Sequence, residues 1–320
     1  MIEWTPFKSI VHNASKRGFP FFVLLLMASG LPLVYYALTR DTNTAYFTTT
    51  LDIEHQRVLD TPVPLRPKEN FFVESAKFIR LAYESAAGDS ERLMMLASPS
   101  TKYLNIRPGL RKEEIASIFG ASFSWSEAEQ ESFIANPKDE VQVRSEGYYY
   151  PGTYAVLPGM SPKEASGMMI KRFNEEVVPR YASSTRSVIS MATALKVASL
   201  IEREAGGKSD MRLISGIIWN RIFAGMNLQI DATLQYVKGT ENNGWWPAVS
   251  PKDKLIDSPY NTYQNGGFPP SAISNPSLAA ISAALNPVKT KCMFYLHDNN
   301  RKIHCAANYE DHVKNIRKHL

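Results

Sequence analysis

Twelve residues, Ala194-Leu-Lys-Val-Ala-Ser-Leu-Ile-Glu-Arg-Glu-Ala205, constrain this chain more than any other stretch. They read as an apolar helix that turns charged only at Glu202-Arg203-Glu204 and stops at Gly206-Gly207. A helix apolar over most of its circumference has to lie in a core. Two carboxylates at its end therefore sit where core meets solvent. A carboxyl held against apolar walls keeps its proton near neutral pH, because desolvation disfavours the charged form. Such a group can protonate the leaving oxygen of a glycosidic bond. The competing reading is a solvated helix end whose charges face water, and the segment alone leaves both open.

The two carboxylates cannot serve one face. They are two residues apart, so on a helix they point roughly 200° from each other. The helix spans Thr185–Ala205, preceded by a long helix over 161–182 that Ser161-Pro162 opens as cap and first position. Met211–Phe223 is a third helix, with Leu213, Ile214, Ile217, Ile218 and Ile222 forming its buried face. Beyond it, polar motifs crowd together: Leu228-Gln-Ile-Asp-Ala-Thr-Leu-Gln-Tyr236, Ser258-Pro-Tyr-Asn-Thr-Tyr263 and Gly266-Gly-Phe-Pro-Pro-Ser271. Loops of this composition build rigid binding walls. Asn275-Pro276 caps a helix through Leu285, and Cys292–His297 with Lys302–Ala306 reads as a β-hairpin. Cys292 and Cys305 lie nearly equidistant from its turn, so a bridge is expected if the register brings their Cα atoms within about 7 Å; two small buried hydrophobes are the alternative.

The first half is less regular. Thr48–Glu54 alternates weakly as a first strand, and Pro62, Pro64 and Pro67 break any regular element after it. Residues 70–87 have a helical apolar stripe that reads as core packing. Lys102–Gly120 reads as a strand, a Pro-Gly turn and a helix, and Ser124 with Glu127 has capping-box spacing for another. The block Val141–Tyr154 alternates like a strand and carries four tyrosines beside Glu146, a pattern that suits either sugar stacking or an aromatic edge of the core.

Length and charge bound the rest. The chain has 320 residues, enough for one or two domains. Its 36 Lys plus Arg exceed 31 Asp plus Glu only mildly, which suits an anionic polymer or membrane surface. No interleaved basic and aromatic run points to nucleic acid. No Cys-x-x-Cys or similar spacing points to a metal. From Phe19 to Leu38, 20 residues carry no charge, and Lys8, Lys16 and Arg17 precede them. Length and flanking charge predict a single transmembrane helix over 19–39 with the first 18 residues cytoplasmic. A cleaved signal peptide is the competing reading of the same span.

In order and spacing, several of these motifs resemble the endolytic murein transglycosylases, the MltG (YceG-like) family. They include Glu146-Gly147 leading to Pro151-Gly-Thr153-Tyr154, Ala198-Ser-Leu-Ile-Glu-Arg-Glu204, Asn220-Arg221, and Leu228-Gln-Ile-Asp231-Ala-Thr233. They continue through Ser258-Pro-Tyr-Asn-Thr-Tyr263, Pro269-Pro270, Asn275-Pro276, the Ala279–Pro287 helix end and the final Phe-Tyr hairpin. The sequence departs from the family pattern at Gly152, Ile230 and Ala232, where Asp, Ser and Pro are common.

The resemblance implies an α+β fold: a single N-terminal transmembrane helix, a LysM-like small domain over 40–140 and a mixed α/β lytic transglycosylase domain over 141–320. It implies Glu204 as catalytic acid, by its match to an Ala-Glu-Ala pattern in related spore-cortex-lytic enzymes. Substrate contacts are implied at Glu146, Tyr154, Asn220, Gln229, Asp231, Thr233, Asn261, Thr262 and Tyr263, with Glu202 as a secondary candidate that pairs with a basic residue or braces the loop. The implied reaction is nonhydrolytic cleavage of the MurNAc–GlcNAc β-1,4 bond within peptidoglycan glycan strands, leaving 1,6-anhydro-MurNAc ends and terminating nascent strands. No cofactor or metal is expected. The implied partners are glycan strands, the inner membrane and peptidoglycan synthases, with the catalytic domain periplasmic. A noncatalytic glycan-binding scaffold and a hydrolytic muramidase using Asp231 as second carboxylate are the alternatives.

Overall fold

The computed structural model describes residues 47–63, 100–135, 145–181 and 188–320. The apolar helix is α4, Met191–Glu204, and it lies at the centre of the larger core. Ser190 caps it, its side chain accepting from Thr193 N–H, and seven of its residues from Ala194 to Ile201 are buried. Helix α5, Met211–Phe223, and helix α7, Leu278–Leu285, pack against it. In α5, Gly216 lets the chain at Val288 approach closely, since a Cβ there would lie 2.2 Å from the Val288 carbonyl. Helix α6, Asp231–Lys238, closes the end of α4.

A second, smaller core belongs to the first half. Strand β3, Lys102–Ile106, pairs antiparallel with β4, Gly152–Val156. Between them run α1, Lys112–Phe123, and α2, Glu127–Ile134. Phe119, Trp125, Phe133 and Tyr149 stack in series beneath the ladder. Helix α3, Pro162–Glu176, belongs to both cores. Its Ala165, Met169 and Ile170 face the small one, whereas Phe173 reaches the large one.

Two further antiparallel ladders complete the described chain: β1, Thr49–Asp52, with β2, Arg57–Val63, and β5, Phe294–His297, with β6, Ile303–Ala306. Helix α8, Tyr309–His319, follows the last strand. Pro62 lies within β2, which a two-stranded sheet tolerates because an edge strand need not donate on its outer side. The helix expected from Ser124 starts two residues later, with Ser126 as cap and Glu129 closing the box. Ser124 instead ends α1 in the left-handed region at φ 58°. Helices α6 and α8 were not anticipated, and the stripe expected over 70–87 lies outside the described residues.

The hairpin brings its cysteines together: Cys292 and Cys305 are disulfide-bonded, with Cα atoms 5.8 Å apart. Cys305 pairs across the ladder with Tyr295, so Cys292 reaches it diagonally from just before β5.

The fold expectation needs correction in three respects. First, no helix among the described residues is long and apolar enough to cross a membrane. Their longest, α3, has 15 residues and covers about 22 Å at 1.5 Å per residue, short of a hydrocarbon core of about 30 Å. The span expected over 19–39 lies outside the described residues, and no described helix supports the inner-membrane location, membrane partnership or periplasmic topology expected from it. Second, the described sheets are all two-stranded and antiparallel, so the class is α+β, with no mixed α/β domain. Third, the β3–α1–α2–β4 unit is not a clear LysM-like domain standing alone. Its ladder joins residues on both sides of position 140, and its turns are hydrogen-bonded into the large core through Asn275.

Candidate active site at the end of the central helix

Glu204 and Glu202 leave the last turn of α4 in different directions, as the helical period requires. Glu202 Oε2 accepts from the N–H of Ser277 at 2.9 Å and from its hydroxyl at 2.6 Å. It thus braces the start of α7, where a carboxylate complements the positive end of a helix. The cleft of 310 Å³ lined by Asn105, Arg107, Tyr150, Pro151 and Ser277 opens on that side. Between the two carboxylates, the Arg203 guanidinium lies 3.7 Å from the Trp246 ring centroid, a cation–π contact.

Glu204 faces the polar loops. Its Oε2 accepts from the Tyr295 hydroxyl at 2.6 Å. Burial pushes its pKa up, Tyr295 pulls it down, and the nearby Asp231 charge raises it again. The net shift is upward, so Glu204 holds a proton more readily than a solvated carboxyl. Asp231 opens α6 and accepts from the Tyr263 hydroxyl at 2.6 Å. Burial and the Asp231 contact together hold the Tyr263 phenol well above its ordinary range, so it stays a donor. Lys254 lies over the same ring, 4.7 Å from its centroid.

Of the other sequence candidates, Gln229 is exposed on the rim, with backbone at φ 51°. A non-glycine residue in the left-handed region is costly and persists only where its surroundings enforce it. Here the enforcing bond runs from Gln229 N–H to the Thr262 carbonyl at 3.0 Å. Thr233, Asn261 and Thr262 are buried beneath the rim and brace it. The Thr233 and Thr262 hydroxyls are bonded to each other at 3.0 Å, and Asn261 Nδ2 holds the Lys254 and Ile256 carbonyls. Asn220 donates to the Thr290 and Cys292 carbonyls and so fixes the approach to β5.

Glu146 and Tyr154 do not join Glu204. Tyr154 packs in the small core with its hydroxyl donating to the Tyr150 carbonyl. Glu146 is buried at the junction of the two cores, accepting from Asn275 Nδ2 at 2.5 Å and from Lys112 N–H at 3.1 Å. Burial, reinforced by Glu113, pushes its pKa from the ordinary 4.5 up to about 8. The folded chain therefore holds this proton where the unfolded chain has released it. Its contribution to stability is full below pH 4.5 and falls as pH rises toward 8. The loss over that window is about 4 kcal/mol at most. Glu146→Gln is expected to flatten it, measured as urea unfolding free energy between pH 5 and 8; an unchanged slope would assign the pH dependence to another group.

Three residues that converge here have no site role in the sequence reading. Tyr295 is the hydroxyl donor to Glu204. His297 Nε2 meets Asp210 Oδ2 at 2.8 Å, and Asp210 also accepts the N–H groups of Gly206 and Gly207 at 3.0 Å each, fixing the turn after Glu204. Arg221 is buried and binds the Met293 carbonyl at 2.7 Å and the Leu228 carbonyl, tying β5 to the Gln229 loop. The available signal was the alternation Phe294-Tyr-Leu-His297, which turns Tyr295 and His297 to one face of the hairpin.

A family model described as the YceG-like family matches residues 82–318, most of the chain. The chain belongs to the YceG-like family. It is similar to the endolytic murein transglycosylase of Bacillus subtilis (strain 168), 35% identical over 176 residues, which cover 55% of this chain and 48% of that one. It is 31% identical over 179 residues to the endolytic murein transglycosylase of Streptococcus pneumoniae serotype 2 strain D39, covering 55% of this chain and 32% of that one. The matched segment thus spans less than half of these curated relatives. A solved structure of a yceG-like protein from Listeria monocytogenes matches with TM-score 0.60 and 25% identity, over 74% of this chain and 80% of that one.

Proposed function

We propose that this YceG-like chain is an endolytic lytic transglycosylase that cleaves the MurNAc–GlcNAc β-1,4 bond within peptidoglycan strands and leaves 1,6-anhydro-MurNAc ends. The observation that carries the reading is Glu204, a carboxyl with a raised pKa at the end of a buried helix, held through one oxygen by Tyr295. Glu204 protonates the glycosidic oxygen as the C1–O bond breaks. As carboxylate it then takes the proton from the same sugar's C6 hydroxyl, whose oxygen closes onto C1. The nucleophile is intramolecular, so one carboxyl serves as acid and then as base, and no positioned water is required. The exposed Asp231 carboxylate, oriented by Tyr263, lies near enough to Glu204 to oppose its ionisation, and in this reading it stabilises positive charge developing at C1. Gln229 and Tyr263 line the rim that the sugars meet, while Thr233, Asn261, Thr262 and Asn220 act by holding that rim.

Tyr295→Phe tests the acid–base assignment. The phenol lowers the Glu204 pKa, so its loss raises that value further. Glu204 has to start protonated, so its pKa sets the alkaline limb of the rate profile on purified glycan strands; that limb is expected to move to higher pH, with a loss of roughly tenfold at the optimum. A limb that moves to lower pH or stays in place would separate Glu204 from the titration.

The Asp231–Tyr263 pair favours a second reading, a hydrolase in which Asp231 activates water. The two readings differ in the chemical ends they produce.

A further inference from the structure

We propose that Asp298, His304 and His319 form a binding site for a first-row divalent cation of the zinc type, which staples helix α8 to the hairpin. One ligand atom from each residue lies within 4.8 Å of the other two. The three come from separate elements: the hairpin turn, strand β6 and the last residue of α8. Asp298 is oriented before any ion arrives. Its Oδ1 accepts the N–H groups of Asn300 at 2.9 Å and Lys302 at 3.0 Å, which leaves Oδ2 presented to His304 Nε2, 2.9 Å away. The side chains of Asp298 and His304 are each only 16% exposed. The His304 and His319 rings stack with centroids 3.6 Å apart.

Two imidazoles and one carboxylate are a donor set that suits zinc and its neighbours, with a fourth position for water. Metal–ligand bonds of about 2.0–2.1 Å require ligand atoms roughly 3.3 Å apart at a tetrahedral site. The His304–Asp298 pair already has nearly that spacing, whereas His319 has to swing out of its stack on His304 and turn a ring nitrogen toward the pair. Hydrogen bonds to the far side of a ligating carboxylate are the kind of support that fixes metal ligands elsewhere. The site also lies at the C-terminal end of α8, whose exposed carbonyls favour a cation. Exposed Arg301, Lys302 and Lys318 oppose one and keep the affinity moderate.

The consequence is structural. Helix α8 has no buried residue, and its described aromatic contacts to β5 run through Phe294 to Tyr309 and His312. A bound ion would add a link at the opposite end of the helix. The test uses the full chain, stripped with a chelator and titrated with Zn²⁺ by calorimetry, with Co²⁺ absorption reporting coordination. One ion per chain is expected, with visible Co²⁺ bands, and His304→Ala and His319→Ala should each weaken binding more than tenfold. His55→Ala, which removes another Asp-paired histidine, should leave it unchanged. Circular dichroism confirms that each variant is folded. No saturable binding, or binding that survives both substitutions, would overturn the proposal. Loss of binding in His55→Ala would overturn it as well.

Discussion

Glu204→Gln is expected to lower cleavage of purified glycan strands by about a thousandfold or more, because one side chain supplies both proton transfers. The protein should remain folded. Glutamine keeps an oxygen for the Tyr295 hydroxyl and removes a carboxyl whose ionisation burial already opposes. The thermal midpoint should therefore hold or rise. Glu202→Gln is the internal control: it retains an acceptor for Ser277 and lies on the other side of the helix, so most activity should survive. Wild-type cleavage by a folded Glu204→Gln protein would remove Glu204 from the mechanism, and an inactive Glu202→Gln would exchange the two roles.

Asn275→Ala is expected to cost about 3–5 kcal/mol of stability. Its Oδ1 accepts the N–H groups of Gly147 at 2.9 Å and Tyr149 at 3.0 Å, and its Nδ2 donates to the Leu110 carbonyl and to Glu146. Its own backbone exchanges bonds with Leu110 and Gly109. Truncation leaves two buried N–H groups and a buried carboxyl without this partner, and each such group carries a desolvation penalty of about 1–3 kcal/mol. Guanidinium unfolding checks it: the midpoint should fall with the slope unchanged. A loss under about 1 kcal/mol would mean that the two cores are joined by other contacts.

These two residues mark what the sequence made legible. The end of the central helix is legible because apolar periodicity and a terminal Gly-Gly bound it, whereas its start lies at Met191, after the Ser190 cap, and not at Thr185; the divergence of Glu202 from Glu204 follows from helical geometry alone. Helix α5 has the limits its apolar face predicts, Met211–Phe223, and the hairpin follows from the turn residues between two alternating runs. Asn275 was read as a helix cap, although Ser277 caps α7 and Asn275 joins segments more than a hundred residues away. Nothing local encodes that role. Motif position assigns Glu146 and Tyr154 to substrate, whereas burial puts Glu146 at the junction of the two cores and Tyr154 inside the small one; a sequence cannot distinguish a buried carboxyl from an exposed one when both sit beside glycine and tyrosines. Tyr295 and His297 were missed for the converse reason: a short hairpin strand looks the same whichever surface it faces. Helix α8 escaped because it is mostly charged and its sparse apolar stripe, Tyr309, Val313 and Ile316, is not buried.

Mass spectrometry of the ends made on purified peptidoglycan strands bears most directly on the proposed chemistry. Capture of the C6 hydroxyl predicts fragments ending in 1,6-anhydro-MurNAc, one water lighter than reducing ends, absent with Glu204→Gln. Reducing ends would contradict it and favour Asp231 as activator of water, and strands left uncut by the folded wild-type protein would contradict catalysis altogether.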